Sequence, residues 1–228
     1  MNLFRKAIVR VTEHNCHAIV AFSHLLIIFS LGTEQHDEHL LLTDASSANP
    51  QLVCSWLYFI GNACTMVKDQ KDCIFSGPLR RLAECWDPAA TEVDEMFLDE
   101  ITERLLCVST IGTDGMGSAS DTAALEDAAR HLGSAYAACE ALGEGFTVWD
   151  AVRVWPMVVS MDYIRLLRQG NPAAMILMGH YCVLLKELQS MWFIGLYPLR
   201  LLYTIKRKLE PELHHHIDPL LGKWNIVF

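Results

Sequence analysis

Closely spaced cysteine pairs are missing from this chain: Cys16, Cys54, Cys64, Cys73, Cys85, Cys107, Cys139 and Cys182 include no Cys-x-x-Cys. That absence argues against a zinc ribbon, a redox dithiol and the disulfide framework of a small secreted domain. Thiols set in apolar helical surroundings, as in Asn62-Ala63-Cys64-Thr65-Met66 and His180-Tyr181-Cys182-Val183, read as reduced core residues of an intracellular protein. Charge is also scarce, at 20% of 228 residues, and 18 Lys and Arg face 27 Asp and Glu for a formal net charge of -9. The acidic balance opposes non-specific attachment to nucleic acid or to anionic lipid.

Long apolar runs are few. Positions 18–31 are broken by Ser23, His24 and Ser30, and positions 173–185 by Gly179 and His180, so both stretches fall short of the roughly 20 residues of a membrane crossing. They read as buried core helices. Met1 to Lys6 places its charge within an amphipathic pattern instead of ahead of an apolar core, so no leader is expected. Convincing strand alternation and solenoid-period repeats are absent, and the longest low-complexity tract is His214-His215-His216.

What remains is a chain that is 52% hydrophobic with a mean hydropathy of +0.22, long enough to bury one large core within a radius of gyration of about 17 Å. Its periodicity is helical almost throughout, so the expected fold class is all-α, a single-domain orthogonal helical bundle. Leu3, Ala7, Ile8 and Val11 form a short stripe, and residues 12–15 offer a cap to a longer helix over 16–31. The polar run 32–49 reads as a loop; Pro50 then opens a helix carrying Val53, Trp56, Leu57, Ile60, Cys64 and Val67. Ser76-Gly77-Pro78 starts a short one with Leu79 and Leu82.

Further helices are expected over 92–111, 121–142, 146–154 and 173–188, the last capped by Asn171-Pro172 and apolar on nearly every face. Gly112 to Ser120 is a break, a helix over 191–209 is expected to kink at Pro198, and a short one covers 211–220.

Sites with chemistry are thin. His14 with His17, His36 with His39, and the triple histidine are candidate zinc ligands, but none has a Cys or His partner at finger spacing, so solvated or capping roles are the better reading. The acids Glu92, Asp94, Glu95, Asp99, Glu100 and Glu103 could hold magnesium diphosphate only on an inward face; they lie opposite Val93, Phe97, Ile101 and Leu105, which makes them a solvated outer face. Gly115-Met116-Gly117 lacks the strand and the lysine of a phosphate loop, and Ser23 with His24 sits in an apolar helix. Lys206-Arg207-Lys208 complements a helix C-terminus. Met157, Met161, Met175, Met178 and Met191, with Tyr181, Trp192, Phe193 and Tyr197, form a plastic apolar set suited to a core or to a greasy pocket.

Several segments together resemble the C-terminal regulatory domain of fungal binuclear zinc-cluster transcription factors, in particular the sterol uptake control regulators. They are Leu3-Phe4-Arg5-Lys6-Ala7-Ile8 with Glu13-His14-Asn15-Cys16-His17-Ala18, and Trp56-Leu57-Tyr58-Phe59-Ile60-Gly61 with Gly77-Pro78-Leu79. Val154-Trp155-Pro156-Met157 leads to Asn171-Pro172-Ala173-Ala174, followed by His180-Tyr181-Cys182 and Met191-Trp192-Phe193-Ile194-Gly195.

The six-cysteine DNA-binding cluster of such regulators is absent, and Tyr197-Pro198 departs from the family pattern. The resemblance implies a non-enzymatic, N-terminally truncated regulatory domain over 1–228, in nucleus or cytoplasm, with a sterol-like hydrophobic ligand, no cofactor, no resident metal and no DNA contact or membrane attachment of its own. A homodimer and the transcription machinery are its expected partners. Gly179 and Gly195, expected to face each other across two central helices, would open a pocket lined by Met175, Met178, Tyr181, Cys182 and Phe193, with His180 or Tyr181 orienting the ligand. The alternatives are an all-α enzyme acting on an isoprenoid-like molecule and a scaffold whose core is simply filled.

Overall fold

The structure, a computed structural model, describes residues 11–34, 56–57, 60, 71–80, 94–112, 118–186 and 188–224. Every regular element among them is helical, as the 3.6-residue periodicity predicts. In chain order these are α1 (Cys16–Glu34), α2 (Lys71–Phe75), α3 (Glu95–Ser109), α4 (Ala119–Leu142), α5 (Val148–Arg153), α6 (Met161–Arg168), α7 (Pro172–Lys186), α8 (Tyr197–Lys208) and α9 (Asp218–Gly222). Single 3-10 turns occupy Gly143–Gly145 and Pro211–His216.

Local chemistry sets the helix starts. Asp94 caps α3 by accepting from the Met96 and Phe97 amides at 2.9 and 3.2 Å, so this acid of the segment is a cap. Ser118 and Ser160 cap α4 and α6, while Thr147 and Asp150 form a reciprocal capping box at α5. Asn171 accepts the Ala174 amide at 3.0 Å and starts α7 where its Asn-Pro pair predicts.

α7 is the centre. It packs against α3, α4, α5, α6, α8 and α9, and Ala173 through Gly179, Tyr181, Cys182, Leu184 and Leu185 are all buried. At roughly 1.5–3 kcal/mol for each large aliphatic side chain removed from water, this helix is a principal source of stability. α3 and α4 form the most extensive pair, their faces closed by Leu105 on one side and Leu125, Ala128, Ala129 and Leu132 on the other. The small residues of α4 permit the close approach that its alanine-rich sequence predicts.

Three expectations are corrected. The segment 191–209 is not one kinked helix: residues 191–196 are turns, and Pro198 lies in the first turn of α8, where its missing N–H costs nothing. α2 and α6 have no counterpart among the expected helices, although Tyr163, Ile164, Leu166 and Leu167 of α6 recur at helical spacing and are buried. α1 extends three residues beyond 31, and its stretch Cys16–Thr33 is long and apolar enough to cross a membrane by length and composition, although 44% of it is buried inside the protein. Core helices pass the same test, and Ile27 and Leu31 of α1 belong to the main core. The stripe over 3–8, the helix over 50–67 apart from Trp56, Leu57 and Ile60, and the loop over 35–49 lie outside the described residues.

Candidate functional site

Around α7 the aromatic side chains do two jobs at once. Trp155, Tyr163, Tyr181, Trp56 and Tyr197 are fully buried, and their polar tips all find partners. The Trp155 indole donates to the Ala128 carbonyl at 2.8 Å, the Tyr163 hydroxyl to Ala174 at 2.9 Å, and the Tyr181 hydroxyl reaches the carbonyls of Ala151 and Val152 at 2.8 and 3.1 Å. Trp56 donates to the Tyr197 hydroxyl at 2.8 Å. Tyr181 lies between the two indoles, with ring centroids 5.9 Å from Trp56 and 4.9 Å from Trp155. Tyr163 thereby bolts α6 to the backbone of α7, Tyr181 bolts α7 to that of α5, and Trp155, in the turn after α5, bolts that turn to α4.

Of the expected pocket residues, Met175, Met178, Tyr181 and Cys182 are buried on α7, and Phe193 is buried in the turn beyond it. The two glycines do not form the facing pair expected of them. A Cβ on Gly179 would meet Ile217 Cδ1 at 3.0 Å, Leu202 Cδ2 at 3.4 Å and Leu220 Cδ1 at 3.5 Å, so side chains from α8, from α9 and from the residue just before α9 fill that notch. Gly195 is not helical; it sits in the turn before α8 with φ +48°, a left-handed conformation that favours glycine. The Tyr181 hydroxyl, proposed to orient a ligand, is already engaged by α5.

His180 is half-buried. Desolvation, followed by the positive fields of Lys223, Arg104 and His216, pulls its imidazole down to about 4 from 6.5. The unfolded chain therefore binds a proton that the fold refuses. Stability should be highest above pH 6.5, fall as the pH drops toward 4 and level off below, by about 2 kcal/mol after allowance for the ring's remaining solvent contact. Urea titrations of the parent and of His180→Gln at pH 7.5 and 4.5 check this; equal pH dependence in both would remove His180 as the cause.

The remaining motifs take structural roles. Asp94, Glu95, Asp99, Glu100 and Glu103 are exposed, as the outer-face reading requires. Ser23 donates to the Ile19 carbonyl at 2.9 Å and His24 Nδ1 lies 2.8 Å from the Val20 carbonyl, so both engage their own helix. Lys206, in the last turn of α8, pairs with Asp218 at 2.6 Å. His36 and His39, together with Gly115 to Gly117, lie outside the described residues.

One grouping escaped the sequence. Cys16 and His17 at the start of α1 meet Cys73 of α2: the two sulfurs are 2.6 Å apart, His17 Nε2 is 4.0 Å from Cys73 Sγ, and one ligand atom from each lies within 4.8 Å of the others. Hydrogen bonding to Cys16, then desolvation and the Cys16 and Glu13 charges, push the Cys73 thiol up to about 11. A separation of 56 residues between His17 and Cys73 hides this from any search by spacing.

In comparisons with known proteins, no family model matches the chain, and neither a curated protein nor a solved structure matches it.

Proposed function

We propose that this chain is a non-enzymatic regulatory domain of the fungal transcription-factor type, working through contacts with a second copy and responding to an apolar small molecule at the α7 core. The observation that carries this reading is an apolar surface at the seam of α1 and the 191–196 turn. Leu25 and Phe29 are 61% and 67% exposed and lie on the helical stripe that continues to Gly32, which abuts the Trp192 ring; Trp192 is 76% exposed and Leu196 60%. A face of this kind on an otherwise buried core marks an interaction site.

A second copy is the occupant that fits best. No Asp, Glu, Lys or Arg stands between Cys16 and Thr33, so two chains of net charge -9 would meet on this face without a like-charge contact. The ligand half of the reading rests on Met175 and Met178, whose flexible thioethers can repack beside the small Ala173, Ala174 and Cys182. Asp94, Glu95, Asp99, Glu100 and Glu103, the described carboxylates of the segment the isoprenoid-enzyme alternative would use, are exposed instead.

Sedimentation at micromolar concentration should give a dimer, and Phe29→Glu with Trp192→Glu should give a folded monomer. A parent that sediments as a monomer would defeat the self-association reading. Sterols should raise the melting temperature of both forms; no shift with any sterol would defeat the ligand half.

A further inference from the structure

We propose that Cys16, His17 and Cys73 form a zinc site that fastens the segment 71–80 to the start of α1. Two cysteines and one histidine are a soft donor set that selects zinc over magnesium or calcium, and three protein ligands leave the fourth tetrahedral position to water or another donor. The geometry is near what such an ion needs. Zinc at about 2.3 Å from sulfur and 2.0–2.1 Å from nitrogen places its sulfurs about 3.8 Å apart and sulfur and nitrogen about 3.6 Å apart. The observed 4.0 Å between His17 Nε2 and Cys73 Sγ would have to shorten by about 0.4 Å, and the sulfurs, at 2.6 Å, would have to part by about 1.2 Å.

A further observation singles the cluster out. Gly77 makes room for the ring: a Cβ there would lie 2.1 Å from Nε2 and 2.2 Å from Cε1, so any other residue at 77 would displace the imidazole from the sulfurs.

The site also answers a structural need. Cys16, Val20 and Ile74 form a small apolar cluster of their own, separate from the main core, with Val11, Cys73, Phe75 and Leu79 packed against it. α2 has five residues, far fewer than a helix needs to persist by itself, so a bond between it and α1 is what holds it in register. A resident ion would supply that bond without requiring oxidation. The inference stands on its own residues and does not depend on the regulatory reading.

The test uses the full chain, purified under reducing, oxygen-free conditions and stripped by a chelator. Zinc(II) should return to one equivalent per chain with sub-micromolar affinity, and cobalt(II) in its place should show thiolate-to-metal charge-transfer absorption. That absorption separates this site from the exposed His215 and its neighbours, which offer no sulfur. Cys73→Ser and His17→Gln should each weaken zinc binding about a hundredfold, whereas Cys107→Ser, at an exposed cysteine, should leave it unchanged. Gly77→Ala, which retains all three ligands, should weaken binding as well. The proposal is overturned if the reduced chain takes up no zinc, if cobalt gives no thiolate band, or if Cys16 and Cys73 are found joined as a disulfide that persists under reductant.

Discussion

Trp155→Ala is expected to lower the free energy of unfolding by about 3–5 kcal/mol, a large part of the 5–15 kcal/mol that holds a typical domain together. The indole is fully buried, packs edge-on against Tyr163 at 5.2 Å, and meets Tyr181 at 4.9 Å. Truncation removes the donor to Ala128 and opens a cavity that these two rings cannot fill, because their own hydroxyls are tied to Ala174 and to Ala151 and Val152. Trp155→Phe keeps much of the volume and loses the hydrogen bond, so it should cost less, about 1–2 kcal/mol. Urea unfolding followed by circular dichroism measures both. A loss under 1 kcal/mol for the alanine variant would mean that the aromatic cluster is not what joins α4, α5, α6 and α7.

The second large effect is expected at Gly133, where Gly133→Val should destabilise by about 3 kcal/mol. A Cβ here would sit 2.2 Å from Thr102 Oγ1, 3.2 Å from Thr102 Cβ and 3.3 Å from Thr102 Cα. The hydroxyl can rotate away; the α3 backbone behind it cannot. Relief therefore requires α3 and α4 to move apart along their most extensive contact. Gly179 provides the contrast, since a Cβ there meets only the flexible tips of Ile217, Leu202 and Leu220, so Gly179→Ala should be tolerated far better. Thr102→Ala should recover part of the Gly133→Val loss in a double-mutant cycle. Additive losses would place the strain elsewhere.

How much of this was legible in the sequence follows the range of the physics. Helix type and position depend on neighbours three and four residues away, so α3, α4, α5 and α7 fall within a few residues of their predicted bounds. Asn171 acts locally and is readable as a cap, whereas the cap of α3, Asp94, falls inside the helix expected over 92–111. The stripe of α6, Tyr163, Ile164, Leu166 and Leu167, is local too, whereas Pro198 suits an interrupted helix and a helix start equally, so its sequence neighbours do not decide between them.

By itself the sequence determined an all-α chain with α7 at its heart, since an all-round apolar helix has to be enclosed by others. Only the tertiary structure decided what stands beside what. It set Leu202, Ile217 and Leu220 in the notch of Gly179, turned Gly195 away into a left-handed turn, and brought His17 and Cys16 to Cys73. The reason is that burial rewards apolar area without regard to sequence distance, whereas a donor cluster or a close backbone approach exists only once distant helices have chosen their partners.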